Sequence, residues 1–364
     1  MVRRVTIADI ARHTGVSQAT VSLVLNGKYT QGKTAKGTAE RVLEAARALG
    51  YRGRVRTRPE PGAPAVGLFI ADKESFFTTY YGPRLLSGMW RAADEFDAHL
   101  FLFSDHIGEE PVTFDYLRKE MESRGVSNLV VNVNNNLSEQ LLETLEELAV
   151  CGTRIVALWR RQRGWDAPCV MPDDEGAAKL MVSHLMELGH RRLALVSSGP
   201  DPRTRSIVER FVDFVQESGA ELVGDGALFT NDRVAENADD DNAGLLLNAV
   251  SPPTAVAALF DGRALGTTKA LRSRGIRVPE DMSVIGYGNM PANRPTPVAL
   301  TMVESPIERI GETAARLLLE PGSSYEVHRG APAVRLPVTL RVRSTTGPAR
   351  HGAFPAVAGG RLPR

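Results

Sequence analysis

Residues Thr6 to Asn26, TIADIARHTGVSQATVSLVLN, constrain this chain more than any other stretch. Ile7, Ala8, Ile10 and Ala11 recur at helical spacing behind Thr6, a good N-cap, and the run stops at Gly15. After Gly15-Val16, Ser17 caps a second pattern in which Val21, Val24 and Leu25 face inward while Gln18, Ala19, Ser22 and Leu23 face outward. Two short helices hinged on a glycine turn are the arrangement that lays a second helix in the DNA major groove. A polar loop, GKYTQGKTAKGT, follows. A third helix is then expected from Ala39 to Leu49, with Val42, Leu43, Ala46 and Leu49 on one stripe and Gly50 as its stop.

Charge sharpens that expectation. Residues 1–58 hold twelve Lys or Arg against Asp9, Glu40 and Glu44, a net of +9; the whole chain carries only +1, so the rest sums to −8. A basic head on an acidic body confines polyanion affinity to the head. At 364 residues and 43% hydrophobic content the chain is long enough for two or three cored domains. It shows no apolar run of membrane-spanning length and no charged-then-apolar leader, so a cytoplasmic protein without a membrane partner is expected. Cys151 and Cys169 lack metal-ligand spacing and read as small core residues of a reducing compartment.

From Ala65 the period changes. Short apolar runs at Val66–Ala71, Leu100–Phe103, Leu129–Val133 and Ile155–Leu158 alternate with helical patterns at Leu85–Phe96, Phe114–Ser123 and Ser138–Val150. The alternation restarts with Gly176–Leu188, Leu193–Ser197, Ile207–Glu217, Ala255–Phe260, Leu265–Arg274 and Ser283–Tyr287. Two doubly wound parallel-sheet halves follow, with a cleft between them as the natural ligand site.

The strings VTIADIARHTGVSQATVSLVLNGK and ERVLEAARALGYR resemble the headpiece of the lac repressor / galactose repressor family of bacterial transcription regulators. HLMELGHRRLALVSSGP, PPTAVAALFDGRALGTTKALRSRGIRVPEDMSVIGY and LTMVESPIERIGETAARLLL resemble that family's ligand-sensing core, so the likeness spans roughly residues 3–346. It implies an all-α helix-turn-helix headpiece at 1–52 and a linker at 53–64. It also implies a periplasmic-binding-protein-like core at 65–346, with several crossovers. Its first half is expected at about 65–170 with 298–325, its second at 171–297 with 326–346. Residues 347–364, GPARHGAFPAVAGGRLPR, carry no leucine heptad and are expected to be a disordered tail, so a homodimer and not a larger assembly is expected.

In the family, bases are read by the first two residues after the capping Ser and by one a turn further on; here these are Gln18, Ala19 and Leu23. Gln can pair twice with an adenine edge, whereas Ala and Leu contact only apolar surface such as a thymine methyl, so A/T-leaning half-sites are expected. Leu23 could instead be an inward core residue. Thr6, Ser17, Thr20, Ser22 and Asn26 suit phosphates, as do Lys33 and Lys36 on a connection about three residues longer than the family's usual one. The family's leucine-bearing hinge helix has no counterpart in RGRVRTRPEPGAPAVG, whose Pro59, Pro61 and Pro64 forbid more than a turn of helix. Val55 is the sole apolar wedge candidate there, and Arg52, Arg54, Arg56 and Arg58 resemble a minor-groove arm, so weaker central kinking is expected.

Enzyme chemistry finds little support, and no cofactor or metal is expected. Gly286-Tyr287-Gly288 lacks the third glycine of a dinucleotide site; His184 and His190 are poorly spaced as joint ligands. Asp173, Asp174 and Glu175 read as helix capping, and Asp239 to Asp241 as a solvated turn. At the positions where sugar-binding relatives place hydroxyl-binding side chains, this chain has Trp159, Ile207, Phe260 (beside Asp261) and Gly288 (before Asn289). Such losses remove the hydrogen bonds a desolvated polyol needs. Two readings stay open. In one, Phe76, Phe77, Tyr80, Trp159, Phe260 and Tyr287 line a flatter aromatic effector pocket with Arg161 and Arg205 for an anionic group. In the other, these side chains fill a closed cleft and no effector exists. A low-specificity architectural DNA-binding protein is the alternative for the chain as a whole, and a solute-binding protein or sugar-modifying enzyme on the same body is opposed by the head.

Overall fold

The computed structural model describes residues 5–25, 36–49 and 64–350, apart from 72, 79, 108–109, 133–137, 161–166, 198–201, 230–237, 289–297, 329 and 331. In the head, α1 (Ile7–Thr14) opens on a capping box: the Thr6 hydroxyl accepts from the Asp9 amide, and the Asp9 carboxylate accepts from the Thr6 amide at 2.9 Å. Gly15, at φ 72°, ends it as only glycine does without strain. The Ser17 hydroxyl accepts from the Thr20 amide at 3.1 Å and starts α2 (Gln18–Leu25). α3 (Lys36–Ala48) begins three residues before the expected Ala39. Ile10, Val21, Val24 and Val42 are fully buried between the three helices, with Ala45 and Ala46 completing the stripe and Leu49 at its edge; the Leu43 side chain lies outside the described residues.

The first α/β unit is built on β1 (Ala65–Ile70), β2 (His99–Ser104), β5 (Asn128–Asn132), β6 (Arg154–Leu158), β7 (Cys169–Pro172) and a late strand, β13 (Val334–Leu336). A small hairpin, β3 (His106–Ile107) with β4 (Glu110–Pro111), follows β2. The sheet order is β2-β1-β5-β6-β7-β13, parallel throughout. Its helices are α4 (Lys73–Thr78), α5 (Tyr81–Glu95), α6 (Phe114–Ser123), α7 (Glu139–Val150), α12 (Ile307–Leu319) and α13 (Tyr325–His328). Val66, Leu68 and Ile70 point to α5 and α12, while Ala65 and Phe69 point to α6 and α7. Both faces are covered, so the strands read as continuous apolar runs without alternation.

The second unit repeats the plan with α8 (Asp174–Glu187), β8 (Arg192–Ser197), α9 (Pro202–Glu217), β9 (Glu221–Phe229), α10 (Ala238–Asn248), β10 (Ala255–Leu259), α11 (Asp261–Ser273), β11 (Ser283–Gly288), β12 (Thr301–Glu304) and β14 (Thr339–Arg341). Its order is β9-β8-β10-β11-β12-β14, with only β14 antiparallel. Asp239 to Asp241 thus form the first turn of α10, where carboxylates favour the helix dipole, and not a free turn.

Four expectations are corrected. β12 pairs with β11, so residues up to Glu304 belong to the second unit and the return to the first begins with α12; β13 likewise pairs with β7 in the first sheet, not the second. The chain therefore crosses three times, near Asp173, Ser305 and Pro337, where the sequence pattern of strands of three or four residues is too short to show which sheet they join. Residues 347–350 are packed: the Ala349 amide donates to Leu188 O at 2.7 Å, and Arg350 pairs with buried Asp281 at 2.6 Å. The expectation of a disordered tail therefore fails for residues 347–350, and residues 351–364 lie outside the described residues. Cys169 is buried as expected, but Cys151, the C-cap of α7, is exposed. No helix among the described residues is long and apolar enough to cross a membrane.

Candidate DNA-reading face and ligand crevices

The capped turn fixes which side of α2 meets solvent. Val21, Val24 and Leu25 bury the inner stripe, which leaves Ser17, Gln18 and Ala19 exposed and Thr20 and Ser22 half-buried. Leu23 is 44% exposed, which decides for the outward reading over the core one. An exposed leucine beside a glutamine on a short helix lowers no core energy; it is surface available for apolar contact. Thr6 is exposed at the start of α1. Asn26, Lys33, Arg52, Arg54, Val55, Arg56 and the other residues of the linker before Pro64 lie outside the described residues, as do Arg161 and Asn289.

Each sheet has a topological switch where the chain order reverses, between β1 and β5 in the first and between β8 and β10 in the second. The carboxyl ends of those strands are where open α/β sheets take ligands. At the first switch the structure brings together a group the sequence reading missed. Trp159 follows β6 with φ 74°, and its Nε1–H is shared between Asn132 Oδ1 at 2.9 Å and the Tyr81 hydroxyl at 2.5 Å. The Tyr81 hydroxyl in turn donates to Asn132 Oδ1 at 2.6 Å. The two rings meet edge to face with centroids 5.0 Å apart. Asn132 ends β5 and is 2% exposed; a polar residue closing an apolar strand was the available signal.

At the second switch, Phe260 follows β10 at φ 72°, ψ 146°, a region populated essentially by glycine, and half-buried Asp261 opens α11. A Cβ on Gly288 would sit 2.5 Å from the Asp261 carboxylate, which explains the glycine there. Ser197 closes β8, fully buried, and its hydroxyl has no hydrogen-bond partner among the described residues.

The aromatic pocket expected from six side chains is therefore smaller. Phe76 is a core residue at 1% exposure, packed edge-on against Phe77 and Tyr81. Tyr287 is buried too, its hydroxyl donating to Asp174 Oδ1 at 2.8 Å. Phe77 is 52% exposed, Tyr80 and Trp159 are half-buried, and Arg205 is exposed on α9. Ile207 is core.

The acidic triplet before α8 splits its roles. Asp173 caps the Gly176 amide at 3.1 Å as expected, whereas Asp174 turns inward, and burial raises its carboxyl pKa to about 6 against the opposing Tyr287 hydroxyl bond. His190 sits among Thr254, Ser283 and Gly347 O, each at 3.0 Å, and His184 meets Thr346 at 2.9 Å. Burial lowers both imidazole pKa values, and both rings bond to the C-terminal segment, His184 to Thr346 and His190 to Gly347 O. Among the described residues no group of three or more metal-ligating side chains occurs.

A small three-helix head with an exposed helix face, followed by a body of two doubly wound sheets, each with its own switch point, defines a helix-turn-helix regulator carrying a periplasmic-binding-protein-like domain. Residues 6–53 match the family model of bacterial regulatory proteins, lacI family, and residues 182–346 that of the periplasmic binding protein-like domain. The chain is 33% identical to the HTH-type transcriptional regulator MalR of Streptomyces coelicolor over 86% of this chain and 89% of that protein. It is 28% identical to catabolite control protein A of Priestia megaterium over 94% and 99% of the two chains. The chain belongs to the lacI family of DNA-binding transcription regulators. Its fold matches the lac repressor dimer bound to operator and the anti-inducer ONPF, with a TM-score of 0.65 at 22% identity, over 95% of this chain and 100% of that one.

Proposed function

We propose that this regulator binds a palindromic operator as a homodimer, acting as a repressor at the nucleoid in the cytoplasm. The observation that carries this is the solvent-facing row Gln18, Ala19 and Leu23 on a capped helix, in a head of net charge +9. One such helix reads only a few base pairs, and a two-fold pair of heads supplies the rest. Gln18 reads adenine; Ala19 and Leu23 contact thymine methyls. The Thr6 and Ser17 hydroxyls are spent on their own caps, so the helix ends they secure offer phosphates free first-turn amides, supported by Thr20, Ser22, Asn26 and Lys33. Arg52, Arg54 and Arg56 follow the minor groove with Val55 as a small wedge. The effector, where one acts, is an aromatic or anionic molecule and not a sugar. Trp159 and Phe260 stand where hydroxyl-binding groups are needed, and Phe77, Tyr80, Arg161, Arg205, Asp261 and Asn289 surround them in the sequence pattern.

Selection of random duplex DNA by the purified chain, followed by binding against salt, tests the reading. A palindrome with A/T-leaning half-sites is expected, and Gln18→Ala loses about 1–3 kcal/mol on that site and relaxes preference at one position. Absence of any motif, with affinity that merely falls steeply with salt, makes the protein an architectural DNA binder instead. DNA bending measured on the selected site gives a shallow bend; a sharp central kink overturns the arm assignment.

A further inference from the structure

Trp159 leaves the end of β6, yet its indole reaches Tyr81 at the start of α5, the second helix after β1. In the sheet β6 and β1 are separated by β5, so the ring lies across the carboxyl end of β5 and over the switch point itself. It is held there by every means a ligand would use: one N–H on the buried Asn132 carbonyl and the Tyr81 hydroxyl, and an edge contact with the Tyr81 ring. The backbone bears the cost, since a tryptophan at φ 74° sits where non-glycine residues are strained by about 1–3 kcal/mol. Strain retained at the carboxyl ends of these strands, with a polar strand terminus satisfied by a side chain from a neighbouring strand's end, is the signature of a place held for something else.

We propose that Trp159 is the built-in occupant of the first unit's crevice, and that the effector is a flat heteroaromatic molecule whose own ring N–H replaces the indole on Asn132 and Tyr81. This rests on the effector reading above. A polyol offers no face for the Tyr81 edge, and a ring without N–H leaves the Asn132 carbonyl, 2% exposed, with only the Tyr81 hydroxyl of its two donors among the described residues.

The test removes the occupant and supplies its chemistry from solution. Trp159→Ala in the full chain gains a thermal shift with indole and not with 1-methylindole, while the unaltered chain shows neither at the same concentration. On the DNA selected above, Trp159→Ala changes affinity by about tenfold, within the range of coupling between sites, and indole restores it. Trp159→Phe, which keeps the ring and deletes the donor, guards against a variant that fails to fold; it moves DNA affinity in the same direction by less. Equal shifts with indole and 1-methylindole, or DNA affinity unmoved in both variants, overturn the proposal. If the unaltered chain selects no DNA motif, the regulator reading fails by itself, and selective indole binding still establishes the crevice.

Discussion

The two α/β units share a strand order but close their ligand ends by opposite means. The first is tight and self-satisfied: Trp159, Tyr81 and Asn132 bond to each other, and α5 meets α12 backbone to backbone. The second retains unspent chemistry: a buried Ser197 hydroxyl with no partner among the described residues, Phe260 in a glycine-only conformation, and a carboxyl, Asp174, buried beside Tyr287. One strand order thus hosts an end filled and bonded by its own side chains and an end that keeps a buried hydroxyl without a partner among the described residues, each beside an aromatic residue at positive φ.

The largest effect that would sharpen the contrast comes from two glycine substitutions. A Cβ on Gly88 would lie 1.8 Å from Glu308 O, and one on Gly311 2.3 Å from Leu85 O, so α5 and α12 touch through main chain that cannot step aside. In the second unit a Cβ on Gly286 meets first the Met302 Sδ at 2.3 Å, the end of a flexible side chain. Gly88→Ala is expected to cost about 3 kcal/mol or more and Gly286→Ala about 1 kcal/mol by urea unfolding. Equal costs would mean that the first unit is no more rigid than the second.

Next is the pH dependence of the second unit. The Asp174 carboxyl has its pKa raised to about 6 by burial, so the folded chain holds a proton that the unfolded chain, at an ordinary 3.8, has released. Stability contributed here is complete below about pH 4, falls as pH rises through 6 and is flat above. Asp174→Asn keeps an acceptor for Tyr287 and removes the charge, so it raises stability at pH 7.5 by up to about 3 kcal/mol, with the gain vanishing below pH 4. A gain that does not depend on pH would show that folding leaves the Asp174 pKa unshifted.

Phe260 gives a smaller and more pointed comparison. Replacing an aromatic residue by Gly ordinarily costs more than by Ala, by roughly 0.5–1 kcal/mol of backbone entropy. At φ 72°, ψ 146° the order reverses, and Phe260→Gly is expected to be more stable than Phe260→Ala by about 1 kcal/mol in urea. If Ala is the better replacement, Phe260 stores no strain and the two units differ in this respect too, since Trp159 of the first is also at positive φ.

These sites also show what the sequence could and could not tell. Core strands such as Ala65–Ile70 and Ala255–Leu259 announce themselves because burial on both faces demands an unbroken apolar run. The exposed face of α2 was legible because the caps Thr6 and Ser17 fix the helix phase. Phe76 and Tyr287 were not separable from cleft residues, since an aromatic at a strand or helix end has the same pattern whether it points into the core or out. The Trp159, Tyr81 and Asn132 cluster joins residues from three elements with no sequence spacing in common, so only the sheet order β1-β5-β6 brings them together. The clasp on the C-terminal segment was hidden for the opposite reason: a Gly/Pro-rich stretch carries no periodicity even where its backbone is bonded.

That clasp supplies the smallest expected effect. Asp281 is 2% exposed and accepts a two-pronged bond from Arg277 at 2.7 and 2.8 Å; Arg350 adds a contact at 2.6 Å from the chain's last described residue. Arg277 first, with a backbone bond helping, pushes the Asp281 pKa down to about 2, so this stabilisation is present above the usual pKa of 3.8 and is lost as pH falls toward 2. Arg350→Ala leaves the Arg277 fork intact and therefore costs under about 1 kcal/mol at pH 7, fading in acid, whereas Arg277→Ala costs more because a buried carboxylate then relies on one partner. A larger loss for Arg350→Ala than for Arg277→Ala would make the C-terminal segment a structural strap of the second unit, and that unit's stability would then depend on a stretch that sequence reading assigns to the tail.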